Sequence, residues 1–241
     1  MTTDTDSRVA DMRVRAYGDA AVLITGSDGA AAGSTWAWIH ALADSLSDAS
    51  LRGLEGIVAT YDSLLIEYDP GVITRDELDH HVRTLLGPAA HSRSEGRIHR
   101  IPALYGGADG PDLEDVAEEL NLSTQDFIDQ HSAALWHVAF RGAPAGAPML
   151  DGSPFKKPIA RRSHPRIRVP AGSVAVSGMQ GVVYPIDSPG GWRLIARTPC
   201  DVIDITRTPH LLYQPGDRFQ FFPVTAADAS KWRGALVGES T

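Results

Sequence analysis

The 241-residue chain has a single cysteine, Cys200, so it cannot form an intramolecular disulfide. This excludes a disulfide-stapled fold and is typical of proteins in a reducing compartment, which leads us to expect a cytoplasmic location. Cys200 precedes the apolar-alternating stretch from Val202 to Ile205. We interpret it as a small buried side chain rather than a nucleophile.

Long apolar runs are also missing. None approaches the roughly 20 residues that a membrane-spanning helix needs, so we expect no membrane association. The N-terminal stretch MTTDTDSRVADMRV is polar and acidic and has no apolar segment typical of a secretory signal. Residues 1–11 are predicted to be a disordered lead.

Positive charge is scarce, and the formal net charge is −8. No basic block offers the phosphate contacts that general nucleic-acid binding requires, so a nucleic-acid partner is not expected. The densest positive stretch would instead suit a small anion or an acidic partner surface. It holds Lys156, Lys157, Arg161, Arg162, Arg166 and Arg168.

The familiar sequence motifs of catalysis are absent. The chain has no P-loop, no GxGxxG and no GxSxG. Its nine histidines form no HExxH pattern and have no cysteine pair beside them, so no metal site is expected.

Patterned secondary structure begins after the lead. Residues 12–90 alternate strand and helix signals in the order β-β-α-β-β-α, which predicts a small two-layer α+β domain. Trp38, Ile39, Leu42 and Leu46 recur at helical spacing, and Thr74 is placed to cap the second helix. The segment GPAAHSRSEG, residues 87–96, has the composition of a linker.

The second predicted domain covers residues 97–230. Its first strand, Ile98 to Leu104, contains Pro102 and is therefore expected at a sheet edge. Asp112 is placed to cap a helix, and Ser123 begins the next helix with a capping-box pattern. From Leu135 onward only strand and turn signals occur. Together these patterns predict a mainly-β barrel with a helical insert.

One group of polar and aromatic residues could form a binding site: Arg166, Arg168, Ser173, Gln180, Tyr184 and Trp192. If Arg166 and Arg168 lie on one strand, they project to the same side. Two guanidinium groups near an amide and a phenol hydroxyl suit a carboxylate or a phosphate. The alternative is a solvated barrel face with surface ion pairs.

Two further residues admit two interpretations each. His131 ends a predicted helix just before a strand, and it is either held there by the helix dipole or part of the substrate site. Trp192 follows the bend Pro189-Gly190-Gly191, which fixes the angle of the indole. It either plugs the core or forms the wall of a pocket.

Several motifs resemble those of one family. They are GDAA at 18–21, YDSLL at 61–65, GPDL at 110–113, VPAGSV at 169–174 and SPGGW at 188–192. Over Met12 to Pro223 the chain resembles the family of the 5-oxoprolinase B subunit, also called allophanate hydrolase subunit 1 or, for one member, a sporulation-kinase inhibitor. The resemblance implies that the barrel is cyclophilin-like.

The resemblance also implies a function. Family members work with the A and C subunits of the same system, the C subunit being a second cyclophilin-like protein. Together they hydrolyse 5-oxo-L-proline, a carboxylate-bearing lactam, to L-glutamate using ATP that the complex holds. Two other roles remain open: a regulator that inhibits a histidine kinase, and an accessory component of an allophanate hydrolase and urea carboxylase system. No biotinyl-lysine motif such as AMKM occurs in the chain.

The chain departs from the family pattern at two places. A family run like GFxPGFxYL is here GAPAGAPML, residues 142–150, and GGQTGxYP is here GMQGVVYP, residues 178–185. The first change removes three aromatic side chains. We therefore expect the tract from Ala143 to Leu150 to be loosely packed, because it can bury little apolar area to offset the entropy of ordering. Altered specificity or lost catalysis would follow, or only a different local packing.

Overall fold

The described residues, 12–26, 32–86 and 96–239 of this computed structural model, belong to two units. The units are residues 1–94 and residues 95–241. The predicted lead, residues 1–11, and nearly all of the predicted linker, residues 87–96, lie outside the described residues.

The first unit is one antiparallel sheet with two helices. The strands are β1 (Arg13–Ala16), β2 (Ala21–Thr25), β3 (Leu54–Ala59) and β4 (Ser63–Tyr68), in the order β1-β2-β4-β3. The helices are α1 (Ala32–Asp48) and α2 (Arg75–Leu86). Val22 and Ile24 of β2, which alternate along the strand, are buried with Leu42 of α1 and Leu78 of α2. One face of β2, of α1 and of α2 is thereby removed from water.

The second unit contains a closed barrel of seven strands, so the predicted β-barrel is confirmed. The strands are β5 (Ile98–Tyr105), β6 (Trp136–Gly142), β7 (Ala147–Asp151), β9 (Ser173–Ser177), β10 (Gln180–Val183), β12 (Arg193–Arg197) and β13 (Arg218–Pro223). Their order around the barrel is β10-β7-β6-β13-β5-β12-β9. Two helices, α3 (Leu113–Glu119) and α4 (Thr124–Ala133), form the insert between β5 and β6.

The helical insert follows its sequence signals closely. Helix α3 is followed by Asn121 in the left-handed conformation, whose N–H bonds to the Glu118 carbonyl. The Ser123 hydroxyl accepts a hydrogen bond from the backbone N–H of Asp126 at the start of α4. The end of α3 and the start of α4 are thus each defined by a hydrogen bond between residues three positions apart.

Strand β5 is not an edge strand, so the expectation from Pro102 is wrong. It lies between β13 and β12 inside the closed barrel. Strand β12 pairs with β5 only at Leu104 and Tyr105, beyond the proline. The N–H that Pro102 lacks is therefore not needed by that neighbour.

The tract from Ala143 to Leu150 is also better packed than its composition predicts. Its second half belongs to strand β7, where Ala147 and Leu150 are fully buried. The Tyr213 hydroxyl donates a hydrogen bond of 2.8 Å to the Gly146 carbonyl. Barrel closure thus orders residues that have no aromatic side chain of their own, and the loose packing expected for 147–150 is wrong.

Two apolar clusters lie on either side of the barrel wall. The interior cluster includes Trp136, Val174, Val176, Phe219 and Phe221. The outer cluster consists of Ala147, Val169, Ala175, Val182, Tyr184 and Leu194, with Met149 and Trp192 packed against it. Alternate residues of β9 thus serve the two clusters, as the period of a strand requires. Val169 reaches the outer cluster from a separate two-stranded sheet, β8 (Arg166–Val169) with β11 (Ser188–Gly190).

The C-terminal segment adds elements that the sequence patterns do not indicate. A short helix α5 (Ala226–Ala229) is followed by a 3-10 turn, Ser230–Trp232. Leu236 then forms a parallel bridge with Asp201, and Val237 belongs to the interior cluster. Packing in this unit therefore continues past residue 230.

Candidate functional site

Asp112 organises the charged surface beside the outer cluster. Its side chain is almost fully buried and accepts hydrogen bonds from Arg166 (two, both 2.9 Å), Arg162 (2.8 Å) and the backbone N–H of Leu194 (2.7 Å). Asp112 occupies the predicted N-cap position of α3, but its side chain makes no capping hydrogen bond to the helix. The carboxylate instead ties the helical insert to β8 and β12.

The pKa of Asp112 reflects two opposing causes. Burial raises the pKa, whereas the hydrogen bonds from Arg166 and Leu194 and the positive charges of Arg166 and Arg162 lower it. The pKa of Asp112 lies below its ordinary value as a result. The carboxylate is therefore ionised at neutral pH and neutralises the guanidinium groups beside it.

The two arginines of β8 have separate partners. Arg166 forms a two-pronged ion pair with Asp112, while Arg168 donates to Asp187 at 2.7 Å on the exposed surface. Each guanidinium is occupied by a carboxylate of the chain itself. The structure therefore does not bring Arg166 and Arg168 together on a shared anion.

Trp192 and Tyr184 do lie together, in the outer cluster. The indole of Trp192 is half-buried and packs against the cluster that contains Tyr184. The guanidinium carbon of the exposed Arg161 lies over the indole, 5.7 Å from the ring centroid. Trp192 is thus neither a plug of the barrel interior nor a free side chain, since it packs against the cluster and also contacts Arg161.

The Pro-Gly-Gly bend has a steric reason. A Cβ atom on Gly190 would lie 2.3 Å from the Tyr184 hydroxyl oxygen, a distance that side chains do not tolerate. Burial raises the pKa of Tyr184, and the positive charges of Arg161 and Arg166 oppose that rise. The hydroxyl therefore stays protonated at neutral pH and lies within the field of two arginines.

The remaining predicted residues lie elsewhere. Ser173 is buried on β9, where its carbonyl accepts the backbone N–H of Tyr184 at 2.9 Å. Gln180, at the first residue of β10, has its Nε2 3.4 Å from Asp151. His131 is 1% exposed and its Nδ1 lies 2.7 Å from the Tyr105 hydroxyl. Burial lowers the pKa of His131 to about 3, so it is neutral.

The residues around the contact of Arg161 with Trp192, which we call the Arg161 constellation, are Asp112, Arg161, Arg162, Arg166, Tyr184 and Trp192. The sequence alone did not single out Arg161 or Asp112 as members of a site. Arg161 belongs to the densest positive stretch of the chain, and only its contact with Trp192 distinguishes it from the neighbouring basic residues. The position of Asp112 before a helix favoured its interpretation as a cap, and nothing local in the sequence indicates its ion pairs with Arg162 and Arg166. Their signals are local, whereas their contacts cross 31 to 54 positions of sequence.

The arrangement suits a small carboxylate. Arg161 forms no ion pair with the other described residues and extends over an indole, next to a phenol that can donate a hydrogen bond. Among residues 12–26, 32–86 and 96–239, no three metal-ligating side chains of the His, Cys, Asp or Glu type come together. In those same ranges, every helix is too short or too polar to cross a bilayer.

Comparison with known proteins defines the class of this chain. Residues 12–213 match the family model "Carboxyltransferase domain, subdomain C and D". The chain is also 32% identical to the 5-oxoprolinase B subunit of Bacillus subtilis over 201 residues, which are 79% of this chain and 84% of the relative. It is 43% identical to the 5-oxoprolinase B subunit of Escherichia coli O157:H7 over 129 residues, 54% of this chain. The chain belongs to the family of the 5-oxoprolinase B subunit.

Solved structures agree on the fold. The structure of TTHA0988 superposes with a TM-score of 0.72 at 33% identity, over 86% of this chain and 40% of that one. The urea carboxylase of Kluyveromyces lactis superposes with a TM-score of 0.68 at 18% identity, over 93% of this chain and 23% of that one. The match spans 59% of the Escherichia coli relative, less than two thirds of its length.

Proposed function

We propose that this chain is the B subunit of an ATP-dependent amidohydrolase that converts 5-oxo-L-proline to L-glutamate together with its A and C subunits. The observation that carries the proposal is Arg161 lying over the Trp192 indole beside Tyr184. A free guanidinium on an aromatic wall is the kind of site that a small carboxylate-bearing ring requires. Family membership and the single buried free cysteine are compatible with this role in the cytoplasm.

The residues have distinct roles in this proposal. The substrate carboxylate pairs with Arg161, and one face of its five-membered ring lies on Trp192. The protonated Tyr184 donates a hydrogen bond toward the bound lactam, because its raised pKa keeps the proton in place. Asp112 neutralises Arg162 and Arg166, which leaves Arg161 as the cation available to the substrate. ATP, held by the complex, would transfer a phosphoryl group to the lactam oxygen and leave as ADP. Water would then add at the carbonyl carbon, the ring C–N bond would break, and phosphate would depart with that oxygen as a second water takes its place.

The other candidate roles have weaker support. The likeness to urea carboxylase is at 18% identity and concerns the fold, whereas the matched 5-oxoprolinase proteins are 32% and 43% identical. An accessory role in an allophanate system therefore ranks second. No contact in the described residues favours a histidine-kinase inhibitor.

The test compares two charge-removing variants in the assembled complex. Arg161→Gln should raise the KM for 5-oxoproline about tenfold, because one charge-assisted hydrogen bond is lost, with a smaller change in kcat. Lys156→Gln, which removes another exposed charge outside the constellation, should leave both unchanged. The isolated chain should release no glutamate. Equal KM values for the two variants would exclude Arg161 from the substrate site.

A further inference from the structure

A cleft lies elsewhere on the barrel unit, away from Arg161 and Trp192. It has a volume of about 500 Å³, within the range of small-molecule sites. It is lined by Arg97, Ile98, His99, Arg100, Phe222, Trp232, Gly238 and Glu239. None of these residues belongs to the Arg161 constellation, and none has a role in the proposed function.

One wall of this cleft is aromatic. Phe222 and Trp232 are both half-buried and meet edge to face, with ring centroids 5.6 Å apart. The guanidinium carbon of Arg100 lies 5.2 Å from the centroid of Phe222. This leaves an indole surface next to a cation, a combination with which proteins stack a neutral base beside its phosphate groups.

The cleft is also positively charged, in a chain whose net charge is −8. Arg97 and Arg100 form no ion pair with a carboxylate of the described residues, and Arg97 donates only to the Leu212 carbonyl through its guanidinium. The acidic lining residue, Glu239, is already paired with Arg207 at 2.6 Å. Two guanidinium groups therefore remain available to an anion.

A histidine in the cleft is held in one orientation. His99 Nε2 lies 2.8 Å from Asp217, a fully buried carboxylate that also accepts the backbone N–H groups of Arg97 and Gln214. Because Asp217 offers only acceptors, His99 donates its Nε2–H to that carboxylate, which holds the ring in one orientation. Gly238 lies against the Nδ1 edge of the ring, where a Cβ atom would approach Nδ1 to 3.0 Å.

We propose that this cleft binds a nucleoside phosphate. The base stacks on Trp232, and the phosphates pair with Arg97 and Arg100. The inference deepens the proposed function, on which it rests for the choice of ATP as probe. The cleft itself follows from charge, aromatic geometry and volume.

The experiment measures binding of ATP, adenosine and tripolyphosphate to the full chain by calorimetry and by tryptophan fluorescence. ATP should bind saturably and quench the fluorescence of the wild type, while Trp232→Phe should lose most of the quench and Trp192→Phe should keep it. Arg100→Gln should weaken ATP binding about tenfold, the loss expected for one charge-assisted contact, whereas Lys156→Gln should not. Adenosine and tripolyphosphate should each bind more weakly than ATP.

Three results would overturn the inference. They are no saturable ATP binding at millimolar concentration, equal ATP affinity in Arg100→Gln and Lys156→Gln, and tripolyphosphate binding as tight as that of ATP. The outcomes also separate this inference from the proposed function. Turnover in the complex without ATP binding to this chain would exclude the cleft alone. Intact ATP binding with no glutamate release by the complex would exclude the 5-oxoprolinase role alone.

Discussion

The interior cluster and the outer layer of the barrel unit bury polar groups in different ways. Inside, His131 lies among Trp136, Phe127 and Phe221, with the Tyr105 hydroxyl at its Nδ1. Outside, the equally buried Asp112 receives two arginines and a backbone N–H. His131 is neutral and Asp112 is charged.

The difference shows that burial alone does not decide the charge state. Burial disfavours the charged form of both groups and is the dominant cause of the pKa change at His131. At Asp112 the arginine and backbone donors outweigh it. An apolar surrounding therefore keeps a titratable group neutral, whereas converging donors stabilise its charge.

Breaking the outer arrangement should have the largest effect. Asp112→Ala leaves two guanidinium groups and a backbone N–H without their acceptor, and should lower the free energy of unfolding by about 3 kcal/mol. Urea denaturation of the variant and the wild type measures this loss.

The exposed pair of Arg168 with Asp187 provides the control. Asp187→Ala removes the same kind of side chain but from the surface, where solvent screens the charge, so its effect should be far smaller. A loss in Asp187→Ala as large as that in Asp112→Ala would mean that burial of the carboxylate is irrelevant.

Acid should weaken the interior before the outer layer. The pKa of His131 is about 3 in the folded chain and 6.5 in the unfolded chain. As the pH falls below about 6.5, the unfolded chain therefore binds a proton at His131 while the folded chain does not. This difference in proton binding leaves the free energy of unfolding unchanged above that pH and lowers it by about 2 kcal/mol at pH 5. Asp112, whose pKa is lowered, loses its contribution only below its unfolded value of 3.8.

Comparing unfolding free energies at pH 7 and pH 5 isolates His131. His131→Phe should remove this part of the pH dependence, whatever its stability at pH 7. Tyr105→Phe should keep it, because burial rather than the hydrogen bond is the cause. If the free energy of unfolding changes by the same amount between pH 7 and pH 5 in the wild type and in His131→Phe, the pKa of His131 is not lowered in the fold.

The smallest expected effect concerns the contact between the bend and Tyr184. Gly190→Ala should cost about 1 kcal/mol, because the new methyl group displaces the Tyr184 hydroxyl. In Tyr184→Phe the same substitution should cost less, since the nearest remaining ring atom is 3.0 Å away. Thermal unfolding of the wild type, the two single variants and the double variant completes this double-mutant cycle. If the two losses of stability simply add, Gly190 and Tyr184 are not in contact.

Local patterns carried much of the prediction. The periodicity of apolar residues predicts the helices, and the Ser123 capping box predicts where α4 begins, because both depend on neighbours within four positions. The predictions made from Pro102 and from the Ala143–Leu150 tract were wrong because they, too, rested on local sequence alone. Local composition indicates an edge strand and a loose loop, whereas closure of the barrel places Pro102 and the second half of the tract, in β7, inside the sheet.

The candidate site divides along the same line. Tyr184 and Trp192 were predicted together and lie together, because both belong to the short segment between β10 and β12 and pack in the outer cluster. The other predicted site residues have partners away from Trp192. Arg168 donates to Asp187, Gln180 lies beside Asp151, and His131 lies beside Tyr105. Only the fold shows that Asp112 neutralises Arg166 and leaves Arg161 on the indole.

The sequence by itself determined the family, the helix boundaries of the insert and the residue types available for binding an anion, since these are properties of composition and short-range spacing. The tertiary structure alone decided which arginines are paired and which are free, and whether a buried titratable group is charged. Those outcomes depend on donors and acceptors that arrive from distant strands and loops, such as Arg166 at Asp112 and Asp217 at His99.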